Sequence, residues 1–171
     1  MRTAARIVGM ATVAAAAKPS AKVYVVTGAT DGIGRLTAQK LGQDHLHVAV
    51  HGRTQSKVDA VVAEVEQGGG TARGFVADLS SMQDVRRLGN EIAEAYDRID
   101  GLLNNAGTFS GDYTGKRVVT EEGNEYSLAV NVLAPFLLTS LLLDRVRASG
   151  CLLYTSPSPR DQRGSRMPSS A

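Results

Sequence analysis

Residues 21–42 read "AKVYVVTGATDGIGRLTAQKLG". Val23 to Val26 form a short β-branched run that ends in Thr27-Gly28, the profile of a buried strand. The stretch "GIGRLTAQKLG" follows, with Ile33, Leu36, Thr37 and Leu41 at helical spacing. Between strand and helix stand three glycines, each with a distinct physical use. Gly28 permits a tight turn, Gly32 lets backbone approach a pyrophosphate, and Gly34 lets the helix pack close to the strand. The phosphates would lie at the helix N-terminus, where unpaired N–H groups point outward. A glycine triplet alone is also compatible with a plain strand-to-helix turn. The strand–turn–helix context favours dinucleotide binding.

Working outward, "LHVAVHG" (46–52) reads as a second strand and "QSKVDAVVAEVEQ" (55–67) as a helix with Val58, Val61, Val62 and Val65 on one face. Glycines 68–70 break it, and "ARGFVAD" (72–78) is a third strand. "SSMQDVRRLGNEIAEAY" (80–96) is a third helix with Ser80 or Ser81 as its N-cap. "IDGLLNNAG" (99–107) is a fourth strand running into a turn, and a long apolar helix spans Glu122 to Ala148 with a kink expected at Pro135. Strands that are nearly continuous apolar runs, alternating with helices, predict an α/β doubly wound parallel sheet covered on both faces.

Hydrophobic residues make up 43% and charged residues 21% of the 171-residue chain, ordinary values for a globular protein. The net charge of +2 comes from Arg160, Arg163 and Arg166 against Asp161, and everything before them is neutral. That balance argues against a nucleic-acid partner, which needs a concentrated basic face. The sole cysteine, Cys151, excludes an internal disulfide. Residues 1–20 are basic, Ala-rich and free of acids, and Ile7 to Ala17 is too short an apolar run to span a bilayer. The segment is read as a leader before the first strand, with organellar or secretory targeting as the alternative. A cytoplasmic location is the expectation.

The end of the second strand, "VAVHGRT", bears on cofactor choice. An acid there would bind the ribose 2′-hydroxyl of NAD; the chain offers Arg53 instead, a guanidinium suited to the 2′-phosphate of NADP. NADP is therefore expected ahead of NAD, although a solvent-facing arginine at a strand end is common. His45, His47 and His51 lie about the same strand. No carboxylate or cysteine completes a metal site with them, so they are read as exposed strand-flanking histidines and no metal is expected.

"TGATDGIG", "ADLSS", "NNAG" and Asn131 within "NVLAPFLLT" together resemble the short-chain dehydrogenase/reductase family, a Rossmann-type fold, in its main branch. "TEEGNEYSLAVNVLAPFLLTSLLLDRV" (120–146) is similar to its retinol-dehydrogenase-like members, and the likeness covers about 22–149. The resemblance implies an oxidoreductase moving hydride between nicotinamide and an alcohol or carbonyl substrate of small size, lipophilic in that branch. It also implies a homo-oligomer. It places Thr30, Asp31 and Ile33 at the ribose and phosphates, Asp78 and Leu79 at the adenine, and Asn105, Ala106 and Gly107 along the cofactor. Asn131 would hold a water of the proton relay; without the other motifs it would read as a mid-helix Asn bonding backbone freed near Pro135. The family also uses a Ser and a Tyr-x-x-x-Lys. Tyr24, Tyr96, Tyr113, Tyr126 and Tyr154 are followed four residues on by Gly28, Asp100, Arg117, Val130 and Ser158, so none makes that motif.

"CLLYTSPSPRD" (151–161) and "SRMPSSA" (165–171) resemble translated pieces of a sequencing adapter in their library order. The organisation expected is a leader (1–20), a partial nucleotide-binding domain (21–150) and a non-native disordered tail (151–171), truncated after the fourth strand and its following helix. The chain as given is then a catalytically incomplete fragment. The alternative is a non-catalytic NADP-binding module that serves as sensor or partner surface.

Overall fold

The computed structural model describes residues 19–109 and 117–150. The leader through residue 18 and the adapter-like tail lie outside the described residues. Four strands, β1 (Val23–Val26), β2 (His47–Gly52), β3 (Thr71–Val76) and β4 (Gly101–Leu103), alternate with α1 (Gly32–Gln43), α2 (Gln55–Gln67) and α3 (Met82–Ala95). All strand pairs are parallel, as the apolar strand runs predicted, and the order is β3-β2-β1-β4. Val25 pairs with Ala49 on one side and Leu102 on the other, so β1 is central.

Period-two alternation divides the sheet's side chains between two apolar layers. Val26, Val48 and Val50 pack with Val58, Val61 and Val65 of α2 and Ala38 of α1. Val23, Val25, Ala49 and Phe75 pack with Leu88 and Ile92 of α3 and Leu138, Leu142 and Val146 of the last helix. Burial on both faces is what keeps β1 and β2 covered along their length, whereas the edge strand β3 buries only Phe75. Ser81 caps α3, its hydroxyl accepting from the Asp84 amide.

Two readings are corrected here. In α1 the expected face contained Ile33 and Leu36, yet these are 77% and 54% exposed; the buried stripe is Gly34, Ala38 and Gly42. Contact distance decides it. A Cβ on Gly34 would stand 2.3 Å from the Gly28 carbonyl oxygen, and one on Gly42 would stand 2.8 Å from that of Val65. The helix lies too near its neighbours for larger residues on that face.

The long helix begins later than Glu122. Glu125 caps α4 (Tyr126–Leu128), its carboxylate accepting from the Ser127 and Leu128 amides. A π-helical turn (Ala129–Leu133) then leads into α5 (Ala134–Arg147), whose first turn holds Pro135. The expected irregularity is thus placed just before the proline. There the Ala134 amide reaches back to the Ala129 carbonyl, and the ring, which has no N–H, falls in the first turn of the next helix. Tyr126–Arg147, with mean hydropathy 1.8, is long and apolar enough to cross a membrane by length and composition. Here its apolar stripe, Ala134, Leu138, Leu142 and Val146, is buried within the layer it shares with α3.

Candidate functional site

A cleft of about 500 Å³ opens at the C-terminal ends of the strands. It sits where the chain, having built β1, β2 and β3 in one direction, crosses to place β4 on the other side of β1. In open parallel sheets such a reversal leaves a crevice between diverging loops, the usual place for a ligand.

The glycine turn forms one wall. Gly28 (φ +63°) and Gly32 (φ +51°) take left-handed backbone that favours glycine. A Cβ on Gly28 would approach the Ala106 Cα to 2.8 Å, whereas one on Gly32 would meet nothing within 4 Å. Gly32 therefore presents bare backbone to open space. Asp31 caps α1, its side chain accepting from the Gly32 amide at 2.8 Å. The next amides, of Ile33 and Gly34, find no acceptor among the described residues. Such N–H groups beside uncovered glycine backbone present donors of the kind that hold anions at helix N-termini.

The opposite wall is the loop after β4. Asn105 Nδ2 donates to the carbonyls of Thr27 (3.0 Å) and Gly28 (3.2 Å), while Thr27 Oγ1 accepts from the amides of Asn105 and Ala106. These bonds lock the β4 loop to the glycine turn and leave Ala106 and Gly107 facing the cleft.

The far end lies beyond β2 and β3. Arg53 reaches across the opening, its Nη1 donating to the Tyr126 hydroxyl at 3.4 Å rather than to a carboxylate. Asp78 Oδ1 accepts from the Ser80 amide at 2.9 Å, and the Asp78 amide donates to Asp84, which holds the Asp84 carboxyl below the usual range. The backbone after β3 is thereby fixed with one Asp78 oxygen committed, and Leu79 is buried beside it.

Of the residues singled out from sequence, Gly28, Thr30, Asp31, Gly32, Arg53, Asp78, Leu79, Asn105, Ala106 and Gly107 line one cleft. Gly34 stands behind it as a packing residue, and Ile33 points its side chain to solvent. Asn131 sits just outside the lining. It accepts from the Thr108 amide (2.8 Å) and donates to the Thr108 carbonyl (2.7 Å), so its partner is the β4 loop and not helix backbone near Pro135. One Nδ2 hydrogen and one Oδ1 lone pair remain for a water.

Sequence reasoning missed His51, Gly52, Thr108, Tyr126 and Val130, which also line the cleft. The histidine reading is corrected for two of the three residues. His47 and His51 lie within β2 and are 8% and 2% exposed; only His45 is exposed. They cannot converge on one ion, because each ring has its own partners: Gly69 O for His45, Thr71 and Tyr96 for His47, Gly28 and Ala77 for His51. Nothing in a single sequence separates a buried strand histidine from an exposed one, and Tyr126 comes from a distant segment.

The fold and cleft define an α/β protein of the dinucleotide-binding type. The short chain dehydrogenase family matches residues 22–157, a span that runs past Gly150 into the tail. The chain is 36% identical over 132 residues to human (Homo sapiens) retinol dehydrogenase 13, covering 75% of this chain and 38% of that one. A metagenomic short-chain oxidoreductase in complex with NADP has a similar structure, with TM-score 0.66 at 32% identity over 76% of this chain and 58% of the other. The NADH-dependent reductase A1-R′ complexed with NAD is similar at TM-score 0.64 and 26% identity, over 76% and 54%. The protein belongs to the short-chain dehydrogenase family. It spans less than half the length of the curated relatives it matches.

Proposed function

We propose that the chain is the nucleotide-binding part of an NADP-dependent oxidoreductase acting on an alcohol or carbonyl compound. When bound, the nicotinamide would give or take the hydride at the substrate carbon. The chain's own residues do the holding. The glycine turn and the first amides of α1 would hold the pyrophosphate, Asp78 would accept from the adenine amino group, and Ala106 and Gly107 would lie along the cofactor. Asn131, fastened to Thr108, retains the capacity to hold a water for proton transfer. Likeness to retinol dehydrogenase 13 favours a lipophilic substrate.

The observation that carries the choice of NADP is Arg53, which lines the cleft at the end of β2 and has a phenol, not a carboxylate, for its partner. A guanidinium there attracts a 2′-phosphate, and β2 ends in Gly52-Arg53 without an acid to select a ribose hydroxyl. Titration of the 171-residue chain with NADPH and NADH, followed by nicotinamide fluorescence, tests this. NADPH should bind at least about tenfold more tightly, and Arg53→Asp should remove that preference. Equal affinities unaffected by the substitution would refute it.

A second reading rests on the sequence itself, where no tyrosine is followed four residues later by lysine. Proton transfer to the substrate oxygen needs such a tuned group within reach. The 171-residue chain should therefore bind NADP without turnover. Carbonyl-dependent NADPH oxidation by the purified chain would contradict that, and reading the transcript beyond codon 150 distinguishes an enzyme from a binding module.

A further inference from the structure

Among the described residues His51 is the one buried titratable group that lines the cleft, and none of the roles above uses it. Its neighbours explain what it does. At the end of β1 the Thr27 amide donates to Leu103 of β4, and the Ala29 amide donates to the His51 carbonyl of β2. Between them the Gly28 amide has no strand left to pair with. The imidazole fills that place: the Gly28 N–H donates to His51 Nδ1 at 3.2 Å. On its other side His51 Nε2 lies 3.2 Å from the Ala77 carbonyl oxygen. An amide can only donate and a carbonyl can only accept, so Nδ1 carries the lone pair and Nε2 the hydrogen. One neutral tautomer satisfies both contacts.

Gly28 is thus held from two sides, by the His51 ring and by the close approach of Ala106. We infer that His51, as the neutral Nε2–H tautomer, is the positioning residue that sets the glycine turn in the shape that receives the cofactor's pyrophosphate. Protonation would place a hydrogen on Nδ1 opposite the Gly28 N–H, setting two donors face to face and forcing the turn to move. Among the described residues that line this end of the sheet the charged groups are Asp31 in the turn, Arg53 after β2 and Asp78 after β3. Burial holds the ring below the ordinary histidine range, opposed by the Ala77 carbonyl and the Asp78 charge. The turn is therefore latched at neutral pH and released in acid. The inference rests on the cofactor reading above for the purpose of the turn, while the latch itself stands on geometry.

The test compares NADP+ affinity of the full chain, His51→Asn and His51→Leu between pH 8 and pH 5. Asparagine can set Oδ1 where Nδ1 was, accept from Gly28 and never titrate. At pH 8 His51→Asn should bind within about threefold of the unsubstituted chain, and His51→Leu about tenfold more weakly. Below the pKa of His51 the unsubstituted chain should weaken about tenfold per pH unit relative to His51→Asn, as the neutral fraction falls. The 2′-phosphate's own titration is common to both and cancels in the ratio. A His51→Asn profile as acid-sensitive as the unsubstituted one, or His51→Leu binding like it at pH 8, overturns the inference.

A second readout separates the latch from the cofactor. In the ligand-free chain, 15N NMR should show His51 protonated at Nε2, with the Gly28 amide shift following the ring's titration. If no chain binds NADP+ while Gly28 still follows His51, the cofactor reading falls and the latch stands. A Gly28 amide indifferent to that titration sinks the latch whatever NADP+ does.

Discussion

β2 carries two buried histidines on the same face, and its two ends use them differently. At the start of the strand His47 is bonded by side chains: Nε2 to the Tyr96 hydroxyl at 2.8 Å and Nδ1 to the Thr71 hydroxyl at 2.7 Å, with the Tyr96 ring edge-on 5.2 Å away. At the end of the strand His51 is bonded by backbone, to Gly28 and Ala77. Hydroxyls rotate and can donate or accept, so the His47 network adapts and serves packing at the closed end of the sheet. Backbone groups have fixed roles, so His51 is restricted to one tautomer and in turn restrains the loop at the open end. The same residue type, in the same strand, is structural below and functional above because its partners differ.

The largest expected effect falls at the open end. Gly34→Ala would put a methyl 2.3 Å from the Gly28 carbonyl oxygen and 2.4 Å from Asn105 Nδ2. Backbone must shift, so a loss of about 3 kcal/mol or more is expected in urea unfolding, together with NADP+ binding. Unchanged stability would show that the turn is looser than the contacts imply. At the closed end, Tyr96→Phe removes the hydroxyl from His47 and leaves a buried ring nitrogen unpaired, at a cost of about 2 kcal/mol. NADP+ affinity at saturating stability should not change. If it does, the two ends are coupled and the contrast fails.

Acid tests both ends together. Burial holds His47 and His51 below the ordinary histidine value in the folded chain. The unfolded chain therefore binds protons first, and stability is lost as pH falls below about 6.5, by up to about 1.4 kcal/mol per pH unit for each ring until its folded pKa is passed. His51→Asn should remove one share of that slope, and a slope unchanged by it would place the acid response elsewhere. The smallest effect belongs to Ser81→Ala, which removes the α3 cap far from either ring. It should cost about 1 kcal/mol in urea and leave the NADP+ pH profile unaltered.

The strands and their parallel direction were legible from the residues, and most of the cleft from the family resemblance that those residues carry. Apolar runs report burial on both faces, and Thr27-Gly28, Asp78 and Asn105 lie at strand ends that the topology brings together. The face of α1 was not legible. Helical spacing selects Ile33 and Leu36, but the distance to the neighbouring turn admits only Gly34, Ala38 and Gly42. Periodicity reports which side chains are apolar, not how near the next backbone lies.

By itself the sequence determined the family, the glycine turn and the arginine at the end of β2, because these are local patterns whose chemistry survives translation into any compatible fold. Only the tertiary structure decided that Arg53 meets Tyr126, that Asn131 clasps Thr108, and that His51 lies buried beneath Gly28. Each of these joins segments at least 23 residues apart. A hydrogen bond between such segments depends on sheet order and helix approach, which no single stretch of residues encodes.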